Sequence, residues 1–170
     1  MTTPRWAAGV CEGAYASGIR DVVYVPDNPL SHVVRELEER YPAVRLVVAT
    51  REEEAFGIAA GLYLGGRRPA VMCQSSGIGN SLNAVSSLLI PYQIPVVAVV
   101  SMRGDAGEWN AAQVPLGRAM RLILDAVGVV HATVDSAESA GESVRLAAAT
   151  AFSTRLPCAC LVARRVTAGT

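Results

Sequence analysis

Apolar residues along this chain fall into short continuous runs, separated by polar or glycine-rich breaks. Asp21-Val-Val-Tyr-Val25, Arg45-Leu-Val-Val-Ala49, Ala70-Val-Met-Cys73, Val96 to Val100, Val129 to Val134 and Cys158 to Val162 read as strands. Most are continuous apolar runs rather than apolar/polar alternations, as expected for strands covered on both faces. Helical segments lie around and between them. An alanine-rich stretch over 5–17 closes at Gly18, and Ser31 caps a helix over 31–39 with Arg35, Glu36, Glu38 and Glu39 on its polar side. Further helices are predicted over 51–64, 81–90, 116–127 and 136–151, while 74–80 and 103–113 read as loops. This alternation predicts a doubly wound α/β fold, a mostly parallel sheet of about six strands with helices on both faces. Ligands of such sheets bind outside the carboxyl ends of the strands, so the segments to watch are 26–30, 49–52, 74–80 and 101–113.

The composition narrows the function. A chain of 170 residues, 51% hydrophobic, predicts a single domain over 1–170 that folds without disulfides or metal. Fifteen basic and fifteen acidic residues cancel, which argues against nucleic acid or an anionic membrane as a partner. Every basic residue is arginine, so neither a Schiff-base lysine nor a P-loop lysine can act. Cys11, Cys73, Cys158 and Cys160 form no CxxC pair and read as reduced, buried residues of a cytoplasmic protein. No secretory leader and no membrane-length apolar run is evident, and His32 and His131 lack metal-ligand spacing, so no metal site is expected on this chain.

Four segments could carry chemistry. In Thr50-Arg-Glu52-Glu53-Glu54-Ala55, Thr50 and Glu53 have capping-box spacing. Glu52 precedes a helix that is apolar all round, hence expected to be buried, and shares a face with the small residues Ala55 and Ala59. A carboxylate at the edge of an apolar pocket can hold a proton near neutrality. The three acids equally favour the positive end of the helix dipole, and periodicity does not select the inward face of an all-apolar helix. Gln74-Ser75-Ser76-Gly77-Ile78-Gly79-Asn80 leaves a strand for a helix, with glycines that permit close approach and side chains that donate hydrogen bonds. It matches neither a dinucleotide fingerprint nor a hydrolase elbow. Val25-Pro26-Asp27-Asn28-Pro29 is turn chemistry at a strand end. Met102-Arg103-Gly104-Asp105, with Gln113 downstream, holds an arginine at another strand end.

Taken together, VPDN, TREEEAFGIAAGLYLGGRRP, QSSGIGNSLNA, the IPVV strand and MRGDAGE resemble the pyrimidine-binding (Pyr) domain of thiamine-diphosphate enzymes. Within them the chain is most similar to the sulfopyruvate and phosphonopyruvate decarboxylases. The resemblance implies that Glu52, three positions before Ala55 and nine before Gly61, is the acid that hydrogen-bonds the pyrimidine ring nitrogen of the cofactor. Pro26, Asp27, Gln74, Ser75, Ser76, Gly77, Ile78, Gly79 and Asn80 would frame the cofactor. Asn28, Arg103 and Gln113 would face a small 2-oxo acid, Arg103 as the cation for a sulfonate or phosphonate. The family's diphosphate site uses Gly-Asp-Gly and Mg²⁺, whereas Gly104-Asp105-Ala106 is the sole Gly-Asp here. A beta subunit is therefore expected to bring diphosphate and Mg²⁺, in a heterotetramer or larger assembly. A carboligase subunit or a non-catalytic α/β module are the competing readings.

Overall fold

In the computed structural model, residues 2–168 are described, so Met1, Gly169 and Thr170 at the ends of the expected domain lie outside it. The elements run α1 (Arg5–Ala16), β1 (Asp21–Tyr24), α2 (Ser31–Arg40), β2 (Arg45–Val48), α3 (Glu52–Leu64) and β3 (Pro69–Gln74). They continue with α4 (Ser75–Asn80), α5 (Leu82–Ala84), a π-helical turn (Val85–Leu89), β4 (Val97–Ser101), a 3₁₀ turn (Ala111–Gln113) and α6 (Val114–Ala126). Then follow β5 (Val130–Val134), α7 (Ala140–Thr154), β6 (Cys158–Val162) and α8 (Arg164–Thr167).

The six strands form one sheet in the order β2-β1-β3-β4-β6-β5, and every pairing is parallel. The expected mostly parallel sheet is thus entirely parallel. The inner strands β3, β4 and β6 are nearly continuous in buried residues because helices cover both faces. One face packs α1, α2 and α7 around Trp6, Val10, Leu37 and Val144. The other packs α3, α4, the π turn and α6 around Phe56, Ile78, Leu89 and Met120. Buried Asp21 binds Arg45 and Arg67, each at 2.6 Å, tying β2 and the segment before β3 to β1 at the amino ends of the strands. The carboxyl ends, opposite, are left for a site.

Several local expectations change. Leu30, not Ser31, stands at the N-cap of α2, and the Ser31 hydroxyl donates to the Asn28 carbonyl at 2.6 Å. The segment after β3, expected as a loop, turns straight into α4. The single helix expected over 81–90 is instead α5 followed by the π turn. Helix α3 is not buried all round: Ala55, Phe56, Ala59 and Ala60 face the core, while Gly57, Gly61 and Leu64 are exposed. All four cysteines are free and buried, and no helix among the described residues is long and apolar enough to cross a membrane.

Candidate active site

The strand order reverses at β1, whose two neighbours β2 and β3 follow it in the chain on opposite sides. The carboxyl ends of β1 and β3 therefore border a crevice, the position at which doubly wound sheets bind ligands. Asp27, just past β1, closes this end. Its carboxylate accepts from Gln74 Nε2 (3.0 Å), from buried Ser101 Oγ at the end of β4 (2.8 Å) and from the Leu30 amide (3.4 Å). Gln74 in turn accepts from Ser76 Oγ at 2.7 Å, so β1, β3 and β4 share one polar network. The cleft beside it, of about 540 Å³, is lined by Pro26, Asp27, Asn28, Gln74, Arg103 and, from the chain's last helix, Arg164, among others.

Three consecutive glutamates open α3, and their surroundings separate them. Glu54 accepts from both the Thr50 amide (2.8 Å) and the Thr50 hydroxyl (2.6 Å). The capping partner of Thr50 is thus Glu54, not the expected Glu53, because Arg51 occupies the N-cap and the helix starts at Glu52. The Thr50 hydrogen bonds hold the Glu54 carboxyl below its ordinary range. Glu53 is exposed and pairs with Arg51 at 3.5 Å. Glu52 is half-buried, and no hydrogen bond or ion pair engages its carboxylate among the described residues. Its side chain lies over Gly77 of α4, so closely that a Cβ on Gly77 would overlap it. Burial pushes the Cys73 thiol up, with the Glu52 and Asp27 carboxylates adding to the shift, so both acids act at the carboxyl end of β3. Gly77→Ala should push Glu52 aside. We expect it to slow any proton transfer through Glu52 at least about tenfold, given the sensitivity of catalysis to small misplacements, with the far-ultraviolet dichroism of the fold retained.

The other expected site residues divide. Ser75 is buried and accepts from the Arg103 amide at 3.1 Å, linking α4 to the end of β4. Ile78 is a core residue, Gly79 packs against Leu116, and Asn80 is exposed at the end of α4. Gln113 sits in the 3₁₀ turn and is not among the residues lining the cleft. Arg103 lines the cleft, but its guanidinium makes a two-pronged contact with Glu108, at 2.7 and 2.8 Å. That hydrogen-bonded guanidinium holds the Glu108 carboxyl well below the usual carboxylate range. Among the described residues no group of three or more His, Cys, Asp or Glu is placed to hold a metal ion.

Sequence reasoning missed Ser101, Glu108, Trp109 and Arg164. Ser101 could have been found as the polar end of the apolar run Val97 to Val100. Arg164 follows the carboxyl end of β6, where the rule applied to the other strand ends also holds.

The family model for the N-terminal TPP-binding domain of thiamine pyrophosphate enzymes matches residues 6–113, which include Asp27, Glu52 and the whole of α4. The chain belongs to this family. Among its relatives, the sulfopyruvate decarboxylase subunit alpha of Methanocaldococcus jannaschii is 38% identical over 145 residues, 85% of each chain. That of Methanothermobacter thermautotrophicus is 42% identical over 135 residues, 79% of this chain and 81% of the relative. The phosphonopyruvate decarboxylase of Streptomyces viridochromogenes is 36% identical over 107 residues, 63% of this chain and 27% of that longer one. A solved structure of 2-oxoglutarate:ferredoxin oxidoreductase from Magnetococcus marinus superposes with a TM-score of 0.73 over 95% of this chain and 29% of its own. At 13% identity that likeness shows the fold.

Proposed function

We propose that the chain is a single Pyr-type domain over 1–170, the alpha subunit of a heteromeric thiamine-diphosphate-dependent 2-oxoacid decarboxylase. Its substrate is a sulfopyruvate- or phosphonopyruvate-like acid, released as CO₂ and an aldehyde. The observation that carries this reading is the isolation of Glu52: Thr50 engages Glu54 and Arg51 engages Glu53, while the Glu52 carboxylate has no partner among the described residues. The relatives named as sulfopyruvate and phosphonopyruvate decarboxylases support the reaction class.

The residues fit the pyrimidine half of thiamine diphosphate. Gly77, having no side chain, lets the Glu52 side chain lie directly against α4, where any Cβ would displace it. When bound, the cofactor would supply a nucleophilic thiazolium carbon and an electron sink for the decarboxylation of a 2-oxo acid. Glu52 would hydrogen-bond the pyrimidine nitrogen and hold a proton there. Asp27, fixed by three donors, and Gln74 present a rigid polar edge to the cleft. Ser75 and Ser76 lock that edge onto α4 and the end of β4. Being held by their own neighbours, these groups need not reorganise during reaction, which is how a protein orients and polarises a cofactor.

The diphosphate and Mg²⁺ belong to a beta subunit, in a heterotetramer or larger cytoplasmic complex. Relatives named as "subunit alpha" support a partner, as does the exposed outer face of α3 with Gly57, Gly61 and Leu64. Calorimetry tests the division of labour. The chain alone should bind thiamine diphosphate poorly, and addition of the beta subunit should produce tight, Mg²⁺-dependent binding. Tight Mg²⁺-dependent binding by the chain alone would overturn the proposal.

A further inference from the structure

Between the ends of β4 and β6, three charged side chains form one group. The Glu108 side chain is 1% exposed and holds Arg103 through two hydrogen bonds. It also accepts from the Gly104 and Asn110 amides, at 3.3 and 3.0 Å, so the loop is wrapped around it. Arg164 approaches the same carboxylate at 3.9 Å through Nε, which donates to the Gly107 carbonyl at 3.1 Å. Two guanidinium groups thus share one carboxylate, and the group carries one net positive charge. That charge falls to Arg164. Arg103 is neutralised by its fork on Glu108, whereas both Nη groups of Arg164 lack a partner among the described residues. Arg164 lines the same cleft as Asn28 and Gln74, and Trp109 borders it, 79% exposed. Among the described residues lining that cleft the one acid, Asp27, is already occupied by Gln74, Ser101 and the Leu30 amide.

We infer that Arg164, rather than Arg103, receives the second anionic group of the substrate, a tetrahedral oxyanion on the carbon next to the 2-oxo group. Two parallel N–H groups of a guanidinium match two oxygens of a sulfonate or phosphonate. Glu108 acts as a positioning residue: it holds Arg103 as a fixed, neutralised wall and keeps the loop folded so that the Arg164 fork stays at the cleft. This inference rests on the decarboxylase reading.

The test uses the assembled complex with cofactor and Mg²⁺, and compares sulfopyruvate, phosphonopyruvate and pyruvate. Arg164→Met should lower the preference for the oxyanion-bearing acids over pyruvate, as the ratio of kcat/KM, by about 10- to 100-fold, the size of a lost charged hydrogen bond. The change should appear mainly in KM, and loss against one of the two acids alone identifies the group recognised. Arg164→Lys keeps the charge without the fork and should fall between. A ratio within twofold of the wild type in both variants would overturn the inference, as would the full loss in Arg103→Met with none in Arg164→Met. Exchange of the thiazolium C2 proton, followed by NMR in the wild-type complex without substrate, separates the two levels. Absence of exchange overturns the decarboxylase reading and this inference with it, whereas exchange with an unmoved ratio overturns the inference alone.

Discussion

Glu52→Gln should slow exchange of the thiazolium C2 proton in the assembled complex by about 10²- to 10⁴-fold, the usual cost of removing a positioned acid or base. Glutamine keeps the volume over Gly77 and can still hydrogen-bond, but it cannot exchange the proton. Folding should be little changed, because the Glu52 carboxylate makes no bond to the described residues that glutamine would lose. The neighbours provide the control. Glu53→Gln removes an exposed pair with Arg51 at 3.5 Å, and exchange should stay within about tenfold of the wild type. Glu54→Gln removes the charge that Thr50 holds at the start of α3, so its effect belongs in the melting temperature. If Glu53→Gln stopped exchange and Glu52→Gln did not, the acid would be the wrong one of the pair. If neither did, the domain would not activate the cofactor.

A second large effect is expected at Glu108. Glu108→Ala leaves Arg103, whose side chain is 16% exposed, without its counter-charge and next to a second arginine. Breaking a buried pair from one side costs about 3–5 kcal/mol, and the partial exposure of Arg103 places the loss near 3. For a domain of this length that lowers the melting temperature by roughly 6–12 °C. The pH dependence carries a sign. The folded-state pKa of Glu108 lies below its ordinary value, so the stabilisation is present above the ordinary carboxylate pKa of about 4.3 and fades as pH falls through the lower folded value. Wild type and variant should therefore differ fully at pH 7 and converge in strong acid. Melting curves at both ends of that range check this, and a difference below about 2 °C at pH 7 would contradict it.

The architecture was legible because β1, β3, β4 and β6 are short unbroken apolar runs and the polar breaks fall where helices start. Asp27, Gln74 and Arg103 were found because a strand's carboxyl end can be read from where its apolar run stops. What the chain did not disclose lies in contacts between distant segments. Thr50 can reach either Glu53 or Glu54, and only the helix start at Glu52 decides between them. Gly77 reads as turn chemistry until the Glu52 side chain is seen lying across it. Arg103 looks like a free cation until the loop folds back and brings in Glu108, five residues on. Arg164 lies in an unremarked charged pair after the last strand, and its role depends on β6 inserting beside β4.

That insertion governs how the chain can be made. Residues 21–101 hold four neighbouring strands, β2-β1-β3-β4, which can assemble as they leave the ribosome. The next strand to emerge, β5, pairs with β6 and not with β4, so it has no place until residues 158–162 arrive. Through the synthesis of more than fifty residues, β4 presents an open edge, apolar from Val97 to Val100 and ending at Ser101, to its surroundings. Such an edge invites strand pairing with other chains. The final strand thus ends a period of vulnerability to aggregation during translation, and any slowing of the ribosome across α6 and α7 prolongs it.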